Sequence, residues 1–140
     1  MAFKFGRKSV MNYAQLSPEL KRIAARALDY GIIDFSIDCA YRSKAEQNRL
    51  FNMEPPRTKV RWPRSKHNHL PAIAMDLVPY VAGASSWNHY HCSVLAGLVL
   101  AAAFEEGVKL RWGGNWDMDS EPITDQDFQD LVHFEKWEDA

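Results

Sequence analysis

Cysteine is scarce: Cys39 and Cys92 are the only two in a chain of 140 residues. Two thiols build no disulfide framework and no paired CxxC metal site. Both sit among apolar residues and read as small buried hydrophobes. Net charge is nearly absent, with 17 Lys and Arg against 18 Asp and Glu, or -1 with His neutral. That balance argues against a dedicated nucleic-acid binder. No hydrophobic run is long enough for a bilayer. The longest, Val94 to Phe104, falls short of the ~20 residues a span needs, so no stable membrane insertion is expected. The opening MAFKFGRKSV has no apolar signal core, so synthesis in the cytoplasm is expected. With 46% hydrophobic and 25% charged residues, disorder and collagen-like repeats are excluded. What remains is one ordinary domain over residues 1–140, able to bury a core without staples.

The charge that is present is segregated. Residues 1–70 carry a net of +8 and residues 71–140 a net of -9. One reading is two faces of a domain attracting each other. The sharper one is a cleft with a basic wall and an acidic wall able to hold a cation.

Ser17-Pro18-Glu19 starts a helix that runs to Gly31. Ile32 to Ala40 alternates as a strand, with Phe35, Ile37 and Cys39 inward. Ser43 to Met53 reads as a helix, and 54–65 as an extended basic loop. Ala72 to Pro79 reads as a buried strand and Gly83 to Ser86 as a turn. A long helix covers Trp87 to Glu106, and a strand covers Val108 to Trp112. Ile123 to Leu131 is a short helix or turn, and Val132 to Trp137 a last strand. Helices and strands mix without a βαβ rhythm, which predicts an α+β fold with a small antiparallel sheet.

Asp76 interrupts an otherwise apolar strand. An unpaired buried carboxylate costs several kcal/mol, so it needs a metal, or an arginine such as Arg42, Arg61 or Arg111. His67 and His69 lie just before that strand. His133 lies on the last strand, three residues after Asp130. His67, Asp76 and His133 would make three ligands of a catalytic zinc with its fourth position open. Asp130 would be the general base. Glu135, on the same strand face as His133, either orients its ring or is an ordinary edge charge. Other groupings are weaker. His89 and His91 face different ways on a helix, and only His89 and Cys92 share a side. Asp117, Asp119 and Glu121 resemble a calcium loop but lack its glycine and its last glutamate, so a solvated acidic loop is expected. Trp87, Trp112, Trp116 and Trp137 read as core or cleft walls. The basic loop from Arg57 to Lys66 either touches an anionic polymer or is solvated.

Ser65-Lys66-His67, Ala74-Met75-Asp76-Leu77-Val78-Pro79-Tyr80 and Asp130-x-x-His133-x-Glu135 together resemble the two motifs of VanY-like zinc peptidases. That family includes D-Ala-D-Ala carboxypeptidases and phage L-alanyl-D-glutamate endopeptidases. The likeness to the small phage endolysins extends over nearly the whole chain, through Pro18-Glu19-Leu20, Tyr41-Arg42-Ser43 and Leu110-Arg111-Trp112-Gly113. The family's usual spacing from His to Asp ligand is seven residues, which fits His69, whereas His67 stands nine before Asp76. His67 is preferred, because a two-residue loop insertion is tolerated more easily than loss of the Ser-x-His context. His69 then lines the cleft or contacts substrate.

The resemblance implies a hedgehog-like zinc fold and Zn2+ at the metal site. It implies a monomeric peptidase acting on the peptidoglycan stem peptide and released by a phage holin. It places Arg42 near the metal, as oxyanion donor or substrate anchor. The plainer reading of Arg42 is a partner for Asp38 or Glu46. It places Gln47 near the substrate groove, with Ser65 supporting His67. Alternatives are a D-Ala-D-Ala carboxypeptidase on the same scaffold, a catalytically silent wall-binding module, and a structural zinc protein.

Overall fold

The hydroxyl of Ser17 accepts the Leu20 amide, proline fills the first turn and Glu19 lies at the positive end of the helix. This is helix α2 (Pro18–Asp29) of the computed structural model, which describes residues 3–137. The other helices are α1 (Arg7–Gln15), α3 (Lys44–Phe51) and α4 (His89–Glu105). The strands are β1 (Asp34–Cys39), β2 (Ala74–Val81), β3 (Ala84–Ser85), β4 (Leu110–Gly113) and β5 (Asp130–Lys136). These strands pair antiparallel, in the order β1-β2-β5-β4 with β3 on β2. The α+β class matches the one expected.

One sheet face makes the core. Leu20, Ile23 and Ala27 of α2, with Leu95 and Val99 of α4, pack against Met75, Leu77 and Phe134. Each such large side chain contributes roughly 1.5–3 kcal/mol by leaving water. Among the described residues, no helix is long and apolar enough to cross a membrane.

Helix α1 buries only Ser9 and leaves Val10 and Met11 exposed, and Gly6 gives it no side-chain cap. Polar side chains hold it. Ser9 Oγ accepts the Ile37 amide at 3.0 Å, and Asn12 Nδ2 donates to the Ile37 carbonyl at 2.7 Å. Both groups belong to β1 at the edge of the sheet, so α1 covers an edge that would otherwise recruit another strand. Of the short helix or turn expected over 123–131, the turn is found, at 122–125, and the last strand begins earlier than expected, at Asp130.

Two bulges set the directions of functional side chains. Phe35 and Ile37 enter the core as alternation requires, but the register slips between Ile37 and Cys39, and Cys39 pairs with Asp76. One extra residue reverses the side-chain phase. Cys39 therefore leaves the core face, which corrects its reading as a buried hydrophobe. Cys92 fulfils that reading beside Val78 and Val132. The second slip lies between Trp112, paired with Phe134, and Gly113, paired with Asp130. A Cβ on Gly113 would stand 2.0 Å from the Asp130 carbonyl oxygen, so only glycine allows this approach. Gly113→Ala is expected to destabilise the fold by ~1–3 kcal/mol through overpacking, seen as a lower urea midpoint.

Candidate metal centre

Asp76 stands directly opposite Cys39 on one neighbouring strand and His133 on the other. Met75 and Leu77 turn to the core, so alternation turns Asp76 to the other face. His67 arrives on a short 3-10 turn, Lys66–Asn68. Ser65 caps it: its Oγ accepts the His67 amide at 3.2 Å, while its own amide donates to Asn68 Oδ1 at 3.0 Å. The Arg42 amide donates to the His67 carbonyl at 2.7 Å, which ties the turn to the chain leaving β1.

Each imidazole has one nitrogen engaged away from Asp76. His67 Nδ1 donates to the Ala40 carbonyl at 2.8 Å, and its Nε2 lies 3.2 Å from Asp76 Oδ1. His133 Nε2 donates to Glu135 Oε1 at 2.8 Å, and its Nδ1 lies 3.2 Å from the same Asp76 oxygen. These partners select the tautomers whose lone pairs face Asp76. Two lone pairs and a carboxylate at that range call for positive charge between them. The ring ionisations report the same demand. Burial opposes charge on His67, but the neighbouring Asp76 carboxylate lifts its pKa to about 10. His133 is raised against burial by hydrogen bonds to Asp76 and Glu135. Asp76, though buried, is held well below the usual carboxylate range, chiefly by the charge of His67. Two imidazole nitrogens and one carboxylate oxygen are the donor set of a divalent metal site with room for one more ligand.

Two overlapping groups have ligand atoms within 4.8 Å of one another, Asp76 with Asp130 and His133, and Asp76 with Cys39 and His67. Strict alternation from His133 would send Asp130 to the core face; the slip beside Gly113 brings it to the side of Asp76. Burial, then the negative charge of Asp76, raises the pKa of Asp130. Glu135 is 5% exposed and accepts Arg111 Nη2 at 2.9 Å with Lys66 Nζ at 3.2 Å. It is therefore no exposed edge charge. Burial pushes its pKa up, but the His133 hydrogen bond and the surrounding cations hold it at about 2.

Arg42 Nη2 lies 4.0 Å from Asp76 Oδ2 and 3.7 Å from Cys39 Sγ. Its alternative partners are engaged elsewhere, Asp38 with Lys8 and Glu46 with Arg49. Gln47, expected at the substrate groove, is fully buried. Its Oε1 accepts Arg42 Nη1 at 3.1 Å and Asn68 Nδ2 at 3.2 Å, and its Nε2 donates to the Val60 carbonyl at 2.7 Å. With no exposed surface, it orients Arg42 and the basic loop instead of meeting substrate. His69 is exposed at the end of the 3-10 turn and makes none of the hydrogen bonds of the cluster. Cys39, 3.6 Å from His67 Nδ1, was not expected here, and only the strand register reveals it.

Two loops wall the site. The Trp116 ring lies 5.8 Å from that of His133 and stacks on Phe128 at 5.9 Å, while Lys59 of the basic loop sits 3.9 Å over Phe128. Trp112 belongs to the core. His91 bonds Ser86 at 2.7 Å, and no metal-like group among the described residues includes His89 or Cys92. Asp117, Asp119 and Asp125 converge at the surface, fully exposed. A hydrogen bond shared with Asp117 carries Asp125 up to about 6.

The chain is 34% identical over 122 residues to the L-alanyl-D-glutamate peptidase of Escherichia phage T5, covering 84% of each chain. Its fold superposes on the crystal structure of the Serratia marcescens L-Ala D-Glu endopeptidase ChiX with a TM-score of 0.75, at 28% identity, over 96% of this chain and 90% of that one. The family model for phage L-alanyl-D-glutamate peptidases matches residues 1–136. The chain belongs to the phage L-alanyl-D-glutamate peptidase family.

Proposed function

We propose that this chain is a zinc peptidase that hydrolyses the L-alanyl–D-glutamate bond of the peptidoglycan stem peptide during phage lysis. One observation carries the reading: the free nitrogens of His67 and His133 converge at 3.2 Å on one oxygen of Asp76, beside a second carboxylate with a raised pKa. His67, Asp76 and His133 would hold the ion. Zinc, when bound, supplies a Lewis acid that acidifies water and polarises a carbonyl. Asp130 takes the proton of the attacking water and passes it to the leaving amine. Arg42, oriented by Gln47, faces negative charge: the oxyanion that develops at the carbonyl, or a carboxylate of the substrate. Glu135 keeps the His133 ring in its ligand tautomer. The whole chain acts as one catalytic unit and reaches the wall by holin release.

The decisive experiment is digestion of purified peptidoglycan with mass spectrometry of the muropeptides, alongside metal analysis of the protein. New L-alanine carboxyl and D-glutamate amino ends are expected, with zinc in the protein. Release of terminal D-alanine instead would assign the carboxypeptidase chemistry. Chelation is expected to abolish hydrolysis and leave the far-UV circular dichroism in place, because the core lies on the opposite sheet face. Unfolding on chelation would mean a structural zinc.

The pH profile follows from Asp130. Its base form is needed, so activity is expected to fall in acid as that carboxylate takes up its proton, seen as an acid limb of kcat/KM. Burial and the Asp76 charge raise its pKa in the metal-free protein, and a bound dication would oppose that shift. An acid limb that survives unchanged in the residual activity of Asp130→Ala contradicts Asp130 as its source.

A further inference from the structure

A cleft of about 270 Å³ opens beside Asp130, away from the arginine end of the site. Trp87, His89 and Cys92 form one wall, and Gln129 with the first residues of β5 forms the other. The Trp87 side chain is unusual for its size: the residue is 62% exposed. Gln129 Nε2 donates to the Ile123 carbonyl at 2.8 Å, which fixes the amide in place. None of the lining residues is a lysine or an arginine. The volume is at the small end for ligand pockets and suits one ring-sized group.

The opposite end is cationic. Arg42 follows Cys39, which pairs with Asp76, and Lys66 and Arg111 both reach Glu135, which pairs with Ala74. The register therefore puts Arg42, Lys66 and Arg111 toward the Ala74–Glu135 end of the strands and the Trp87 cleft at the Asp130 end, while Lys59 of the basic loop lies over Phe128. The substrate is polarised in the same manner. On the glutamate side of the scissile bond lie free carboxylates. On the alanine side, the amino group is acylated by the lactyl ether of a neutral N-acetylated sugar. Carboxylates suit the arginine end. A neutral ring with one apolar face and a rim of hydroxyls suits an exposed indole flanked by an imidazole and a fixed amide.

We propose that the cleft between Trp87 and Gln129 is the subsite for the sugar attached to the L-alanine of the stem peptide, with Trp87 as its stacking platform. This rests on the L-alanyl–D-glutamate reading and extends it. The enzyme then reads glycan as well as peptide, and discriminates intact wall from free peptides.

The test compares kcat/KM for a disaccharide-bearing muropeptide with that for the same stem peptide carrying a plain N-acetyl cap. Wild type is expected to favour the sugar-bearing substrate by roughly 3–10-fold, the scale of one aromatic contact. Trp87→Ala is expected to bring that ratio to about 1, mainly through KM, and Trp87→Tyr to keep most of it. Circular dichroism checks that both variants are folded. A wild type without preference overturns the subsite. So does a ratio unmoved by Trp87→Ala, or an equal fall on both substrates, which would make Trp87 a mere support for Asp130. A wild type that cleaves neither substrate fails at the hydrolase reading, and the subsite falls with it.

Discussion

Asp130→Ala is expected to lower kcat by ~10²–10⁴, the range for loss of a positioned general base, while zinc content stays at the wild-type level. The prediction separates two roles that the geometry brings close together, because Asp130 also offers an oxygen within 4.8 Å of ligand atoms of Asp76 and His133. Loss of zinc along with activity would make it a ligand. Full activity in a turbidity assay would remove it from the mechanism altogether. Stability should move the other way. The folded protein disfavours the Asp130 carboxylate through burial and the Asp76 charge. An aspartate with a raised pKa binds its proton more tightly folded than unfolded, so it lowers stability at neutral pH, and that loss shrinks as pH falls through the raised pKa. In the metal-free protein Asp130→Asn, close in shape and never charged, should therefore unfold at a higher denaturant concentration than metal-free wild type at neutral pH, with the gap closing in acid. An enzyme stabilised by removing its own base is the behaviour expected of a site strained for function.

His67→Ala is expected to abolish zinc binding and hydrolysis together, whereas His69→Ala keeps both. Outer-shell partners of metal sites already govern affinity by roughly 10–100-fold, and removal of a ligand itself should exceed that. The structural reason lies in burial and direction. His67 is 2% exposed and aims Nε2 at Asp76, while His69 is exposed beyond the end of the same turn. Metal analysis of the two variants, side by side, is the measurement. Zinc retained by His67→Ala and lost by His69→Ala would reverse the assignment.

The contrast between these two histidines shows where the sequence stops. Spacing to Asp76 favours one and the Ser-x-His context the other. Our proposal of His67 rests on the cap that Ser65 and Asn68 place on a three-residue turn, a local hydrogen-bond pattern with no periodicity to detect. Gln47 fails for a different reason. Its neighbourhood in the chain is right, but its amide is consumed by Arg42, Asn68 and the Val60 carbonyl, partners that only folding brings near. Helix α1 is held by Ser9 and Asn12 through polar bonds to Ile37, partners that only the folded sheet edge supplies, while its Val10 and Met11 stay exposed.

By itself, the sequence determines the mixed α+β class, the position of α2 through its cap and proline, and the need of Asp76 for a partner, since a carboxylate in an apolar strand demands one wherever the strand goes. Which way the side chains point is decided by tertiary structure. The slip before Cys39 turns a thiol out of the core toward His67. The slip at Gly113, possible because a bare Cα tolerates the Asp130 carbonyl, turns that aspartate toward Asp76. Side-chain direction in a strand reverses with one residue of register, and register is fixed by pairing between strands distant in the chain, so no stretch of sequence holds that information alone.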